Sequence, residues 1–149
     1  MPRIILFSLI LSLTGFRAVA GEKQAHMVKT MIEETNNFRR REGRRPLKVN
    51  AELTEAAQKH AAHMARKENM SHDGFSFFIK SSGYSYTRLA ENVASFSGSF
   101  SAVDVVHGWM KSSGHRRNLL DRRLVDFGIG MAQGKSHRWY ICQDFGCPR

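Results

Sequence analysis

Cysteine and proline are scarce in this chain of 149 residues, which contains two cysteines and three prolines. So few cysteines exclude a disulfide-dense scaffold, although small secreted domains often depend on one. A zinc site made of thiolates alone needs more ligands than two, and the spacing of Cys142 and Cys147 is not that of the C-x-x-C redox motif. The fold must therefore be stabilised mainly by an apolar core, which one domain of this length can provide.

Long apolar runs are also missing, apart from the one at the N-terminus. Ile4 to Leu13 is apolar almost throughout and follows Arg3, and Ala18-Val19-Ala20 has the small-x-small form of a signal-peptidase site. We therefore predict a signal peptide over residues 1–20 and a single mature domain over 21–149. The run is about half the roughly 20 residues of a membrane span, and we expect no transmembrane segment in the mature chain. Secretion, or export to a periplasm, would permit one structural disulfide, which we predict between Cys142 and Cys147.

Acidic residues are few: 13 against 23 basic ones, a formal net charge of +10. Five of the arginines fall between Arg39 and Arg45. Such a cluster is typical of a solvated face, and it could also hold an anionic surface. No aromatic side chain alternates with these arginines to stack on bases, so no nucleic acid partner is expected.

Hydrophobic periodicity predicts a helical first half. One helix starts near Met27 and stops at Gly43, a second follows an N-cap at Asn50, and a short third covers residues 75–82. The second helix has a buried face of small and apolar residues that allows close packing against a sheet: Leu53, Ala56, Ala57, His60, Ala61 and Met64. His60 is interpreted there as a core residue.

The second half is mixed. Ser101 and Asp104 form a capping box that starts a helix, and Gly114 is predicted to end it. From Val125 the apolar period changes to two, which predicts a hairpin with its turn at Gly134. Helices followed by a hairpin make the chain α+β, with a single domain.

Three short segments carry residues suited to chemistry. His72 lies in a turn, Glu91 interrupts the apolar run Leu89–Ala94, and His115 follows Gly114, from which its ring would project at a sharp turn. A carboxylate in an apolar run needs donors or a cation to offset its desolvation. Two imidazoles and one carboxylate are a normal ligand set for zinc with open positions. Without metal, the same trio could be a hydrogen-bond network that holds two loops on the sheet.

These segments, in this order, resemble the CAP (or SCP) superfamily: the cysteine-rich secretory, venom-allergen and pathogenesis-related proteins and their bacterial relatives. The motifs are His72 in its loop, Glu91-Asn92, Trp109 with Gly114-His115-Arg116, and the closing hairpin with Trp139-Tyr140. The resemblance implies a three-layer α-β-α sandwich. It also implies a cleft in which His72, Glu91 and His115 bind a divalent metal such as zinc, with lipid or sterol pockets known in some members.

One feature departs from many eukaryotic members. They place a second glutamate shortly after the tryptophan that matches Trp109, whereas Met110 to Ser113 follow here. Asp104 is the nearest acid but is explained as a helix cap. The ligand set is therefore incomplete, with His107 and Asn92 as possible additional cleft residues.

Three functions remain open at this point. The first is a secreted, non-enzymatic binding module for a metal, a lipid or a protein partner, favoured because no activated nucleophile is evident. The second is a metal-dependent hydrolase or protease in which Glu91 or His115 would be catalytic, since a bound ion lowers the pKa of water toward 7. The third is a basic adhesin that binds anionic surfaces through Arg39–Arg45.

Overall fold

A computed structural model describes the backbone of residues 8–149 and the side chains of residues 21–149. Residues 1–7 of the predicted signal peptide lie outside the described part, and its remainder is described only as backbone in the first helix. The signal peptide therefore stays a prediction. No helix in the described part is both long and apolar enough to span a bilayer.

The described part contains five helices and four strands. This mixture confirms the predicted α+β class. The helices are α1 (Ser8–Arg41), α2 (Ala51–Lys67), α3 (Phe75–Ser82), α4 (Ala102–Lys111) and α5 (Ser113–Leu120). The strands are β1 (Lys48–Val49), β2 (Tyr86–Phe96), β3 (Asp126–Gln133) and β4 (Trp139–Pro148).

The sheet has the order β1-β3-β4-β2, with β1 and β3 parallel and the other pairs antiparallel. Its two faces carry different layers. One core joins α1, α4 and α5 to the inward residues of β3 and β4, including Phe127, Ile129 and Phe145. Another joins α2 to Val93, Tyr140 and Cys142 on the opposite face. The predicted three-layer sandwich is confirmed, and the long strand β2 lies at an edge of the sheet.

Helix α2 lies directly on the sheet because glycines leave room for it. A Cβ at Gly128 would lie 2.1 Å from the backbone nitrogen of Thr54, and one at Gly130 would lie 2.3 Å from the Cα of Gln58. Both distances are far below van der Waals contact, so no larger residue fits at either glycine. The expectation that the small face of α2 meets a sheet is correct, and the sheet contributes small residues of its own.

The caps follow the sequence closely. The Asn50 side chain accepts a hydrogen bond from Leu53 N at the start of α2, and Ser101 and Asp104 form the expected capping box of α4. The end of α4 is different from the prediction. It terminates at Lys111, and Gly114 lies inside the first turn of the separate helix α5.

Arg39 is a second correction, because it does not belong to a surface cluster. It is only 1% exposed. Its Nε donates to the carbonyl of Arg45, and its guanidinium also donates to the carbonyls of Leu119 and Asp121. Arg39 thus joins the end of α1 to the end of α5, and only the other arginines of the group remain for an anionic surface.

Candidate functional site

The centre of the candidate site is Glu91, in the middle of β2 and 6% exposed. Its Oε2 lies 2.6 Å from Nδ1 of His60, and its Oε1 lies 2.7 Å from Nδ1 of His72. A buried carboxylate is costly unless hydrogen bonds meet it, and here an imidazole meets each oxygen. Glu91 therefore links α2 to the loop that precedes α3.

His60 belongs to this site as well as to the core. Its ring is fully buried on α2 and stacks on Phe78 with a centroid distance of 5.1 Å. Its Nε2 has no hydrogen-bond partner among the described residues. The sequence placed His60 on the buried face, as observed, but did not connect it with Glu91. The available signal was that both are polar groups on apolar faces, each of which requires a partner.

His72 is the exposed member of the group, with 61% of its side chain accessible. Because Nδ1 is held by Glu91, the ring orientation is fixed, and Nε2 on the opposite edge is the nitrogen left for a ligand. A carboxylate that orients an imidazole in this way is the usual outer partner of a metal-binding histidine. This contact joins two of the three residues, His72, Glu91 and His115, that the sequence analysis grouped as one site.

His115 lies on a helix and not at a sharp turn, which corrects the sequence prediction. It is in the first turn of α5, half-buried, and its carbonyl accepts a hydrogen bond from Asn92 Nδ2 at 3.3 Å. Burial lowers the pKa of the His115 imidazole, and the charge of His72 lowers it further. His72 and His115 are both hydrogen-bonded to β2, through Glu91 and Asn92, and we call the surface at these two histidines the cleft.

The sequence missed Asn118, which fastens α5 to the sheet edge. Its Nδ2 donates at 3.0 Å both to the carbonyl of Glu91 and to Oδ1 of Asn92. Asn92 is fully buried and lies next to Glu91 on β2, so its side chain is on the other face of the sheet. Asn92 is therefore a positioning residue for α5. The asparagine three residues after His115 was the signal that could have indicated this role.

His107 is not a cleft residue, contrary to the sequence hypothesis. It is exposed on α4, with Nε2 3.3 Å from Oε1 of Glu34 and its ring edge-on to Phe38 at 5.0 Å. Both partners belong to α1. The sequence shows where His107 lies along α4, but it does not show which face of that helix is directed toward the cleft.

Behind Glu91, strand β4 adds two buried groups that the sequence analysis did not connect with it: Cys142, predicted there only as a disulfide partner, and Asp144. Cys142 Sγ lies 3.1 Å from Glu91 Oε2 and 3.3 Å from Asp144 Oδ1. Burial raises the pKa of the Asp144 carboxyl well above its usual range, and the charge of Glu91 adds to this. Burial, followed by the charges of Asp144 and Glu91, likewise raises the pKa of the Cys142 thiol.

The predicted Cys142–Cys147 disulfide is not formed, since both thiols are free. The two residues lie five apart in the single strand β4 and so point to opposite faces. At about 3.3 Å per residue, their Cα atoms are far beyond the roughly 7 Å limit for a disulfide. The prediction assumed a short loop where the chain is an extended strand.

A concave groove of about 530 Å³ lies away from this cleft, between α1, α2 and β3. Its apolar lining comes from Val28, Ile32 and Ile129. Gln24 and Gln58 also line the groove, and both donate hydrogen bonds to the carbonyl of Met131. These bonds satisfy a backbone group at an edge of β3 that no described strand covers. None of the residues that line the groove belongs to the Glu91 centre.

The sequence and the fold both match known proteins. Residues 32–145 match the model of the CAP family, described as the cysteine-rich secretory protein family. The uncharacterized protein YkwD of Bacillus subtilis (strain 168) is 31% identical over 113 residues, which cover 72% of this chain and 43% of YkwD.

Two solved structures share the fold. One is an extracellular protein containing an SCP domain from Bacillus anthracis, with a TM-score of 0.74, 22% identity, and coverage of 83% of this chain and 41% of that one. The other is an outer surface protein of Borrelia burgdorferi, with a TM-score of 0.75, 18% identity, and coverage of 83% and 94%. The chain thus spans less than half the length of YkwD and of the Bacillus anthracis protein. With a family match over most of its length and the three-layer fold, this chain belongs to the CAP family, as a domain of the bacterial type.

Proposed function

We propose that this chain is an exported, non-enzymatic CAP binding module whose accessible ligand site is the pair His72 and His115, which takes a divalent metal such as zinc. The observation that carries the proposal is the contact between His72 Nδ1 and Glu91 Oε1 at 2.7 Å. It holds the ring through Nδ1, which leaves Nε2 for a ligand, and most of the side chain stays accessible. Glu91 serves here as the orienting carboxylate rather than as the ligand that the sequence suggested.

The surroundings of His115 support the same site. A lowered pKa keeps this imidazole neutral at neutral pH, which is the form that binds a metal. Its helix is held by the two asparagine side chains on β2 and α5, so its position is set by packing. A bound zinc ion would supply Lewis acidity and open positions for a further ligand. Export is supported by the extracellular and outer-surface descriptions of the two structural relatives.

The test is a calorimetric zinc titration of the purified protein at neutral pH. We expect one accessible site, which His72→Ala and His115→Ala each abolish. His107→Ala is the matched control, because that histidine is also exposed but faces α1. Glu91→Gln should weaken binding by about 10–100-fold if the carboxylate only orients His72. Zinc binding that is unchanged in both cleft alanine variants would refute the proposal.

A metal-dependent hydrolase at the same cleft is the second candidate. It is favoured by one feature: burial lowers the pKa of the His115 imidazole, and this favours the neutral form that can accept a proton. Cys142 is not an accessible nucleophile for such a reaction, because its thiol is buried and the pKa of the thiol is raised. Hydrolysis of peptide or ester substrates that survives repurification and disappears in His115→Ala would favour this candidate. Equal activity in that variant would exclude it.

A further inference from the structure

The groups behind Glu91 form a compact donor set that the accessible cleft does not use. His60, Glu91 and Cys142 offer one nitrogen, one oxygen and one sulfur atom that lie within 4.8 Å of one another. Asp144 adds a second carboxylate 3.3 Å from the sulfur. All four residues are between 0% and 6% exposed. Nitrogen, thiolate sulfur and carboxylate oxygen together are a ligand set suited to zinc or a similar divalent cation.

The sheet register explains why the groups converge. Glu91 on β2 is paired directly with Asp144 on β4, and Val93 is paired with Cys142. Residues two apart on a strand share a face, so Glu91, Cys142 and Asp144 all face α2, which brings His60 to them. Three acidic groups and one imidazole therefore occupy one buried space between the sheet and α2.

Two buried polar atoms of these residues have no hydrogen-bond partner among the described side chains: Asp144 Oδ2 and His60 Nε2, the ring nitrogen other than the one beside Glu91 and Cys142. Buried polar atoms without a partner are rare and mark an unfilled interaction, such as a bound water or ion. The Asp144 carboxyl is the more informative of the two. It adjoins both Cys142 and Glu91 and yet is left half satisfied.

The spacing of the donor atoms is close to that around one cation. Tetrahedral zinc with bonds of 2.0–2.3 Å separates its ligand atoms by roughly 3.3–3.7 Å. Cys142 Sγ lies 3.1 Å from Glu91 Oε2, 3.3 Å from Asp144 Oδ1 and 3.8 Å from His60 Nδ1. Among the contacts that join His60, Glu91 and Cys142, the one between His60 Nδ1 and Glu91 Oε2, at 2.6 Å, must widen.

We infer that His60, Glu91, Cys142 and Asp144 form a second, buried divalent-cation site of structural type, distinct from the accessible pair of histidines, with which it shares Glu91. The ion replaces the thiol proton of Cys142 and any proton on Asp144, and these protons pass to solvent. Glu91 contributes Oε2 to the ion while its Oε1 keeps the contact with His72. Because Phe78 covers the His60 ring, the ion enters as the protein folds.

The experiment is refolding of the full chain in the presence of Co²⁺, a spectroscopic substitute for zinc. Thiolate coordination produces a sulfur-to-cobalt charge-transfer absorption in the near ultraviolet, which imidazole and carboxylate ligands do not. We expect this absorption in the wild-type protein and in Cys147→Ser, the matched control whose thiol lies on the other face of β4. Cys142→Ser should abolish it and remove one equivalent of bound metal.

Two further variants keep the result interpretable. Asp144→Asn conserves the shape of the side chain, so it tests the site if Cys142→Ser fails to fold; it should weaken cobalt binding by at least tenfold while the circular dichroism stays native. His72→Ala should lose the accessible site but keep the charge-transfer band, which separates this inference from the proposed function. Absence of the band in the refolded wild type, or its survival in Cys142→Ser, would overturn the inference.

Discussion

The buried guanidinium of Arg39 offers the sharpest test of how α5, and with it His115, is held in place. Replacement by methionine preserves the length and much of the volume of the side chain but removes its donors. Three contacts are lost, to the carbonyls of Arg45, Leu119 and Asp121 at 2.8, 2.7 and 3.2 Å. Since the two latter carbonyls belong to the end of α5 and its cap, the change detaches that end from α1.

The magnitude follows from the partners. Hydrogen bonds from a charged donor contribute about 1.5–3 kcal/mol each, so three give a gross loss of roughly 5–9 kcal/mol. Two offsets reduce it. Methionine no longer requires desolvation of a cation, which is itself a cost of several kcal/mol. The carbonyls of Arg45 and Asp121 are in partly buried contacts that water can replace, which leaves only the Leu119 carbonyl fully stranded. We expect a net destabilisation of about 3 kcal/mol.

Urea unfolding monitored by circular dichroism measures this change. With a slope of about 2 kcal/mol per molar, typical of a domain of this size, Arg39→Met should lower the midpoint by about 1.5 M. Arg39→Lys keeps the charge but not the planar guanidinium, so its urea midpoint should lie between those of the wild type and Arg39→Met. Arg40→Met is the matched control because Arg40 is exposed and contacts only Asn37, so its effect should stay within about 0.5 kcal/mol. Equal midpoints for Arg39→Met and Arg40→Met would refute the reasoning.

Three further predictions concern packing, protonation and the thiols. Gly130→Ala places a Cβ 2.3 Å from the backbone of α2 and should lower the free energy of unfolding by about 3 kcal/mol or more, measured by thermal or urea unfolding. Gly108→Ala, which has open space around it in α4, should instead raise that free energy by about 0.5–1 kcal/mol. A change of the same sign in both variants would contradict the packing argument. A hydrogen bond from Arg123 lowers the pKa of the Asp121 carboxyl. The ionised carboxylate therefore contributes its full stabilisation of the fold above the unfolded pKa of 3.8, and this contribution is lost as the pH falls through the pKa of the folded state. The stability gap between wild type and Asp121→Asn should therefore close toward about pH 2, and a constant gap would be inconsistent with this pKa shift. In metal-free protein, a thiol reagent should modify Cys147 quickly and Cys142 only on unfolding, and a protein without any titratable thiol would restore the disulfide prediction.

Local signals in the sequence were sufficient for part of the secondary structure, although β1 and the separate helix α5 were not predicted. The caps at Asn50 and Ser101, the short helix α3 and the hairpin of β3 and β4 all appear where turn and capping chemistry placed them. Each depends on contacts between residues a few positions apart. Such contacts can be read from sequence because their geometry does not require knowledge of the rest of the fold.

The errors arose where long-range packing decides the outcome. Glycine often ends a helix, so Gly114 was predicted to do so. Helix α4 instead ends before Ser112, and Gly114 lies in the first turn of α5, where a glycine is tolerated. Arg39 was assigned to a charged surface because its neighbours in sequence are arginines, although its position on α1 is on the buried side. His107 was named as a possible additional cleft residue because of its nearness in sequence to Asp104 and Trp109, whereas its contacts are with α1.

The Glu91 centre shows which part of a site becomes predictable once strand pairing is known. A carboxylate within the apolar run Leu89–Ala94 already required a partner, and His60 on the apolar face of α2 required one too. The sequence contained both requirements but no means of matching them. Pairing of β2 with β4 supplies the match, since it sets Glu91 opposite Asp144 and directs both toward α2. Two adjacent buried carboxylates favour a shared proton or cation, so the register by itself identifies this face of the sheet as the place to test for a bound ion.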